Sequence, residues 1–228
     1  MMLPVVILAG GLGSRLGPLT SKTPKTLIPI NGVPFLSWQL DLLEKNHVTE
    51  VVLCLGYLSE HVISYIDSSY SGSIKISYSL DGSKQLGTGG AVKKASSMME
   101  SPFFVLYGDS YLDIPYDQVL DAYQIDNGPL MTIVKNENRL DKSNVFRVRE
   151  QFFYRKNSPP KSANYIDFGL SIFQAKHFSK FPEEFDMSEV QVSFSNAVNM
   201  QFFEVHTRFY EIGSSNGISD LEEYLSLD

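Results

Sequence analysis

Chemistry by thiol or imidazole has little to work with in this 228-residue chain, which carries one cysteine and four histidines. A lone cysteine excludes a disulfide within the chain. Cys54 also sits inside the apolar run Val51 to Leu55, where it reads as a core residue and not as a nucleophile or metal ligand. Long apolar runs are missing too: none approaches the roughly 20 residues needed to span a bilayer. The short one near the N-terminus has no basic residue before it and no cleavage-type site after it, so no secretory signal is read and the cytosol is expected. Positive charge is scarce. Nineteen Lys and Arg face 26 Asp and Glu, for a formal net charge of −7, which argues against a nucleic-acid-binding surface and gives weight to any place where cations gather. Apolar residues are present in ordinary measure, 43%, enough for a single α/β domain with a sizeable core.

The cations gather near the start. Leu3 to Ala9 is a continuous apolar run, which predicts a central strand buried on both faces. It breaks into a loop with Gly10, Gly11, Gly13 and Gly17, whose backbone amides can approach an anion closely. Arg15 offers a planar fork for phosphate oxygens, and Lys25 follows Pro24 as a point charge. A strand, a glycine loop and two spaced cations suit a polyphosphate, although a glycine-rich turn after a strand is often only a turn. Two common phosphate motifs fail here. The dinucleotide fingerprint lacks its third glycine, where Leu16 stands, and the next strand ends in Cys54 and Leu55 without an acidic ribose ligand. No Gly-Lys-Ser/Thr closes a Walker loop.

Further along, Phe35 to Leu43 has helical apolar spacing that stops at Asn46 and His47, the latter read as a helix-end group. Val51 to Leu55, Ile74 to Tyr78, Phe103 to Leu106 and Leu130 to Val134 read as strands. Helices are predicted over Ser59 to Ile66, from the Gly87 turn to about Met99, and over Tyr116 to Ile125. This alternation implies a doubly wound, mostly parallel sheet with helices on both faces. Residues 135–164 change composition and read as a small hairpin insertion, with strands at Val145 to Val148 and Phe152 to Tyr154, not as a linker to a second domain. A helix near Ser188 to Asn199 and a strand at Phe202 to Val205 follow.

The run Gly10-Gly11-Leu12-Gly13-Ser14-Arg15-Leu16, followed by Pro24-Lys25-Thr26-Leu27, resembles the signature of the sugar-1-phosphate nucleotidyltransferases, or nucleoside-diphosphate-sugar pyrophosphorylases. Further motifs of that family recur downstream in order, so the resemblance covers nearly the whole chain. It implies a Rossmann-like nucleotidyltransferase fold. It also implies that Leu8, Ala9, Gly10, Gly11, Gly13, Ser14, Arg15 and Lys25 surround the nucleotide. Leu86-Gly87-Thr88, with Ala91 three residues on, resembles the family's Leu-Gly-Thr-x-x-Ala segment on the base and ribose side, which implies that role for Gly87 and Thr88, and Asp81 lies where relatives read the base edge; a carboxylate there can accept two hydrogens from guanine. Gly108-Asp109, at the end of a buried strand where open α/β sheets place ligands, resembles the metal-binding aspartate motif. A lone Asp there also serves as a turn former.

On the sugar side the resemblance implies roles for Lys156, in Tyr154-Arg155-Lys156-Asn157, as a grip on the sugar 1-phosphate. The surrounding residues depart from the family's Glu-Lys-Pro, and a solvated basic surface is the competing reading. Asn164, Asp167 and Gly169 resemble the family's sugar-contacting Asn-x-x-x-x-Gly segment. Glu211-Ile212-Gly213 resembles its closing Asp-Ile-Gly-Thr, with Glu in place of Asp, so Glu211 and Asn216 both stand as candidates for the second metal ligand. Glu222 and Glu223 read as a solvated face.

The activity implied is attack by a sugar 1-phosphate on a nucleoside triphosphate with Mg²⁺ as cofactor. A phosphate monoester has its second pKa near ~6, so the nucleophile is already ionised and needs no general base. That is consistent with His61, His177 and His206 falling outside every motif. GTP with a heptose or mannose 1-phosphate is the expected pair, on Asp81 alone. A uridylyltransferase for amino sugars and a non-catalytic nucleotide-sugar-binding subunit are the alternatives, and a Rossmann oxidoreductase is disfavoured by the broken fingerprint. The chain is too short for the acyltransferase tail of some relatives, so a dedicated transferase is expected. No nucleic-acid or membrane partner is expected, and a homo-oligomer is left open.

Overall fold

The computed structural model describes residues 2–227 apart from 12, 14–15, 18–21 and 137–139. Strand β1 (Val5–Leu8) runs through the middle of a nine-stranded sheet, as its apolar side chains require: Val5, Val6 and Ile7 are fully buried. After it, a short hairpin of β2 (Pro29–Ile30) and β3 (Val33–Pro34) leads into helix α1 (Phe35–Lys45). Strand β4 (Glu50–Leu55), helix α2 (Ser59–Ser69), strand β5 (Lys75–Leu80), helix α3 (Gly87–Ser96) and strand β6 (Phe103–Tyr107) follow in alternation. β4 and β6 flank β1 in parallel, and β5 extends the sheet in parallel beyond β4.

The helices take opposite faces, as double winding demands. Leu36, Leu40 and Leu43 of α1 and Val62 and Ile66 of α2 join the cluster that holds Val5 and Ile7. Ala91, Val92 and Ala95 of α3 join the one that holds Val6, Val52 and Cys54. α1 ends where expected, with Asn46 at its cap and His47 in the left-handed region at φ 61°. α3 stops at Ser96, short of Met99, because Ser96 and Ser97 turn their hydroxyls back onto the carbonyls of Lys93 and Lys94.

A two-residue strand β7 (Ser110–Tyr111) precedes helix α4 (Tyr116–Ala122). This helix is shorter than the run to Ile125 predicted, since the Gln124 N–H, which would continue the helix by donating to Leu120 O, donates to Gln201 Oε1 instead. Strands β8 (Leu130–Lys135), β9 (Val145–Val148), β10 (Gln151–Tyr154) and β11 (Tyr165–Phe173) come next. The parallel order ends at β11, which runs antiparallel to both β6 and β8. The expected hairpin forms as β9 and β10, and it joins the main sheet through Val145 opposite Tyr165. Val145 and Tyr154 are buried with Met131, Ile133 and Met200, which ties the hairpin into the sheet's apolar interior.

Helix α5 (Met187–Asn196) is capped by Asp186, and strand β12 (Gln201–Val205) runs parallel to β8. Strand β13 (Tyr210–Glu211) folds back to pair with β7, and helix α6 (Ser215–Leu225) closes the chain. A third cluster joins Leu16 of the glycine loop to Ile28, Phe35, Ile212 and Leu221, so the first and last segments meet. Among the described residues no helix is long and apolar enough to cross a membrane.

Candidate active site

A cleft of about 390 Å³ opens along the C-terminal ends of the parallel strands. That volume lies within the range of small-molecule sites. Leu8, Ala9, Gly10, Gly11 and Gly13 form one wall, Asp81, Gln85, Gly87 and Thr88 another, and Gly108 and Asp109 a third, with Lys25 at the edge. All of these but Gln85 were picked out in the sequence. Ser14 and Arg15 lie outside the described residues.

The walls meet by close backbone approach. Gly108 donates its N–H to Leu8 O at 3.0 Å, and a Cβ there would stand 2.5 Å from that same oxygen. No side chain fits, so the β6 tip lies directly against the β1 tip and delivers Asp109 to the mouth of the cleft. Lys25 comes from a short 3₁₀ turn, Lys25–Leu27, and its Nζ donates to Asp109 Oδ2 at 2.5 Å. The pair is well shielded, with the two side chains 16% and 32% exposed.

Glu211 reaches the same place from the far end of the chain. β13 lays Glu211 opposite Ser110, and Ile212 N–H donates to Asp109 O at 2.9 Å. A Cβ on Gly213 would stand 3.4 Å from Glu211 Oε1 and 3.5 Å from Lys25 Nζ, so carboxylate and ammonium border one glycine-wide gap. Two carboxylates around a cation, with neither thiol nor imidazole among them, make an all-oxygen donor set. It fits Mg²⁺, which keeps several waters and takes one or two carboxylates beside phosphate oxygens. Asn216 sits exposed in the first turn of α6. Among the described residues no group of three or more His, Cys, Asp or Glu gathers as a ready-made metal cage.

On the opposite wall, burial raises the Asp81 carboxyl above its usual range, while a backbone hydrogen bond from Leu86 and the charge of Lys94 partly offset it. Thr88 Oγ1 accepts from Met187 N at 2.9 Å, and Phe185 O accepts from Gly89 N at 2.9 Å. The Gly87 turn is thereby stapled to the start of α5. Cys54 is in the lining, and burial pushes its thiol up to about 12, so it is a neutral wall atom and not a nucleophile.

Of the residues expected on the sugar-phosphate side, Gly108 lines this cleft, and Lys156, Asn164, Asp167 and Gly169 are not among its lining. Gly169, at φ 100° in a bulge of β11, has Tyr107 Cδ2 3.6 Å from where its Cβ would be, and Tyr107 is itself a cleft residue. Asp167 accepts from Gly169 N at 2.9 Å and from Gln191 Nε2 at 3.2 Å, yet burial still pushes its carboxyl up to about 6. Asn164 is half-buried, and its carbonyl accepts from Asn136 N. Lys156 is held by both oxygens of Asp186, at 2.8 and 2.9 Å, at the cap of α5.

Thr26, Cys54, Gln85, Ala91 and Tyr107 line the cleft without having been singled out for it. Cys54 lies near the C-terminal end of β4 and Tyr107 ends β6, so the rule that places ligands at parallel strand ends selects both. Gln85 and Ala91 flank the Leu-Gly-Thr segment. Thr26 carries no separate signal beyond its place after Lys25.

A glycine-walled cleft at the ends of parallel strands, lined by Lys25 and Asp109 with Glu211 close beside Lys25, defines an α/β nucleotide-binding fold of the transferase kind. The chain belongs to the nucleotidyl transferase family, whose sequence model matches residues 4–216. It is 34% identical over 146 residues to the D-glycero-alpha-D-manno-heptose 1-phosphate guanylyltransferase of Campylobacter jejuni, covering 64% of this chain and 63% of that one. It is 34% identical over 128 residues to the mannose-1-phosphate guanyltransferase of Kluyveromyces lactis, covering 54% of this chain and 35% of that one. The chain thus spans less than two thirds of these relatives' own lengths. Its fold is shared with HddC of Yersinia pseudotuberculosis at a TM-score of 0.81 and 24% identity, over 98% of this chain and 100% of that one.

Proposed function

We propose that the protein transfers a nucleotidyl group from a nucleoside triphosphate to a sugar 1-phosphate, with GTP and a heptose or mannose 1-phosphate as its substrates and Mg²⁺ as its metal. The observation that carries this reading is the pairing of Lys25 with Asp109 in the lining of a glycine-walled cleft, with Glu211 beside Lys25. The guanylyltransferase names of the two relatives support the choice of base, as does Asp81, whose carboxylate can accept from the guanine edge.

In the reaction a sugar-phosphate oxygen forms a bond to the α-phosphorus while the bond from that phosphorus to the α–β bridging oxygen breaks, and pyrophosphate leaves with the electron pair. The nucleophile is ionised at neutral pH, so the chain has no proton to remove. Its work is to hold two anions together and neutralise charge on the phosphoryl oxygens. In this scheme Lys25 holds the α-phosphate, Arg15 and the loop amides hold the β and γ phosphates, and Lys156 takes the incoming monoester. Asn164, Asp167 and Gly169 shape the sugar side. Asp109, with Glu211 or Asn216, would hold Mg²⁺, which when bound draws charge off the phosphoryl oxygens.

Pyrophosphate release measured with GTP, UTP, CTP and dTTP against a panel of sugar 1-phosphates tests the reading. GTP is expected to lead with a heptose or mannose 1-phosphate. A lead by UTP with amino-sugar phosphates transfers the assignment to that branch. Binding of nucleotide sugar with no release from any pair replaces the enzyme by a sensor.

A further inference from the structure

We propose that Gln39 is a positioning residue that sets the place of Asp109 from behind the cleft. The proposal rests on reading Asp109 as a metal ligand. Gln39 lies in α1 among Leu36, Leu40 and Leu43, and it is 1% exposed. A polar side chain at such a site is costly unless its hydrogen bonds are made.

Its Nε2 makes two, to Tyr107 O at 3.1 Å and to Ser110 O at 2.8 Å. Those are the carbonyls on either side of Gly108-Asp109. Because both partners are acceptors, the NH₂ end of the amide must face them. Among the described residues Gln39 Oε1 has no partner. The amide is thus used for its donor fork alone, and the fork closes on the turn that carries the metal-side carboxylate.

Apart from the Lys25 ammonium on the Asp109 carboxylate, the other ties described for this turn are backbone groups. Gly108 N–H goes to Leu8 O, and Ile212 N–H goes to Asp109 O. They fix one side of the turn to β1 and the other to β13. Gln39 spans the turn's two ends from a third direction, on a helix whose Leu36, Leu40 and Leu43 are buried in the core. Gln39 itself does not line the cleft. Residues that orient a metal ligand from outside its coordination shell are worth roughly 10- to 100-fold in affinity or activity.

Mn²⁺ binding in the presence of GTP, followed by electron paramagnetic resonance, reads this directly. Gln39→Met keeps the volume and deletes both donors. Its Mn²⁺ dissociation constant should rise about tenfold and its kcat fall by a similar factor, while KM for the sugar 1-phosphate stays within about twofold. A lower melting temperature with unchanged Mn²⁺ affinity and kcat would make Gln39 a structural residue only and overturn the proposal. Should Gln39→Met fail to fold, Gln39→Glu serves, since it keeps the shape and the polarity but loses the paired donors; full Mn²⁺ affinity in that variant also overturns the proposal. Asp109→Asn is the reference. If it retains wild-type Mn²⁺ affinity, the metal reading of Asp109 fails; if it loses affinity while Gln39→Met does not, the metal reading stands and the role of Gln39 fails.

Discussion

Replacing Asp167 by Asn should make the protein more stable, and the gain should depend on pH. The carboxyl has an ordinary value of 3.8 and is pushed up to about 6 by burial, against the pull of the Gly169 N–H and the Gln191 amide. For an acid whose value is raised on folding, the protonated form is the one the folded state favours. Its stabilising contribution is complete below pH ~4 and is lost as pH rises through about 6. At about 1.4 kcal/mol per pH unit, the raised value corresponds to roughly 3 kcal/mol, and partial contact with solvent trims this to about 2.

Asparagine does not titrate, and it can keep the acceptor for Gly169 N. Gln191 Oε1 is buried without a partner among the described residues, so a flip of that amide would let it accept from the new Nδ2. Chemical denaturation of both chains at a series of pH values from 4 to 8 is the assay. The variant's advantage should grow by about 2 kcal/mol over that range, worth roughly 4 to 8 °C in melting temperature for a chain of this size. Parallel stability curves for the two chains would refute the reasoning, because they would mean that Asp167 ionises in the folded protein as easily as in the unfolded one.

Lys25→Ala and Asp109→Ala should each lower turnover by roughly 100- to 1,000-fold, by analogy with the loss of other electrostatic stabilisers; near-normal rates in both would remove them from the chemistry. Cys54 should resist a thiol reagent in the native protein at pH 8 and react only on unfolding, since burial holds its thiol up at about 12; rapid native labelling would contradict its place in the wall. Burial lowers His177 to about 4, so the neutral form is favoured on folding and stability should fall as pH drops from about 6.5 toward 4. His177→Gln should flatten that part of the curve, as thermal melts at pH 4.5 and 7 would show. Gly108→Ala should cost several kcal/mol, because its Cβ would meet the Leu8 carbonyl at 2.5 Å, and unfolding in urea measures it.

The chain's patterning made the parallel half of the fold readable. Val5 to Leu8 and Val51 to Leu55 are short, β-branched-rich and apolar without interruption, as a strand buried on both faces is, and the glycines after β1 announced a close approach. The direction of β11 was not readable: a buried strand looks alike whichever way it runs, and only its partners decide. Helix ends were misjudged where a side chain far away in sequence diverts a main-chain group from the helix ladder, as Gln201 does with the Gln124 N–H after α4. The lysine and acids at the cleft mouth were identifiable one by one from their local motifs. Their meeting depends on β13 pairing with β7, and a pair of two-residue strands leaves almost no periodic trace. Gln39 is the extreme case, a polar residue inside an apolar helical pattern whose partners are main-chain atoms 68 and 71 positions on.

The cluster that joins Leu16 to Ile212 and Leu221 bears on synthesis. While the ribosome is still short of α6, Leu16 has Ile28 and Phe35 to pack on but lacks Ile212 and Leu221, and β7 has no β13 to pair with. The parallel core can already be folding at that stage, as domains do when they emerge from the N-terminal side. A nascent chain therefore carries the parallel sheet and the lining of the cleft before Glu211 can come up beside Lys25.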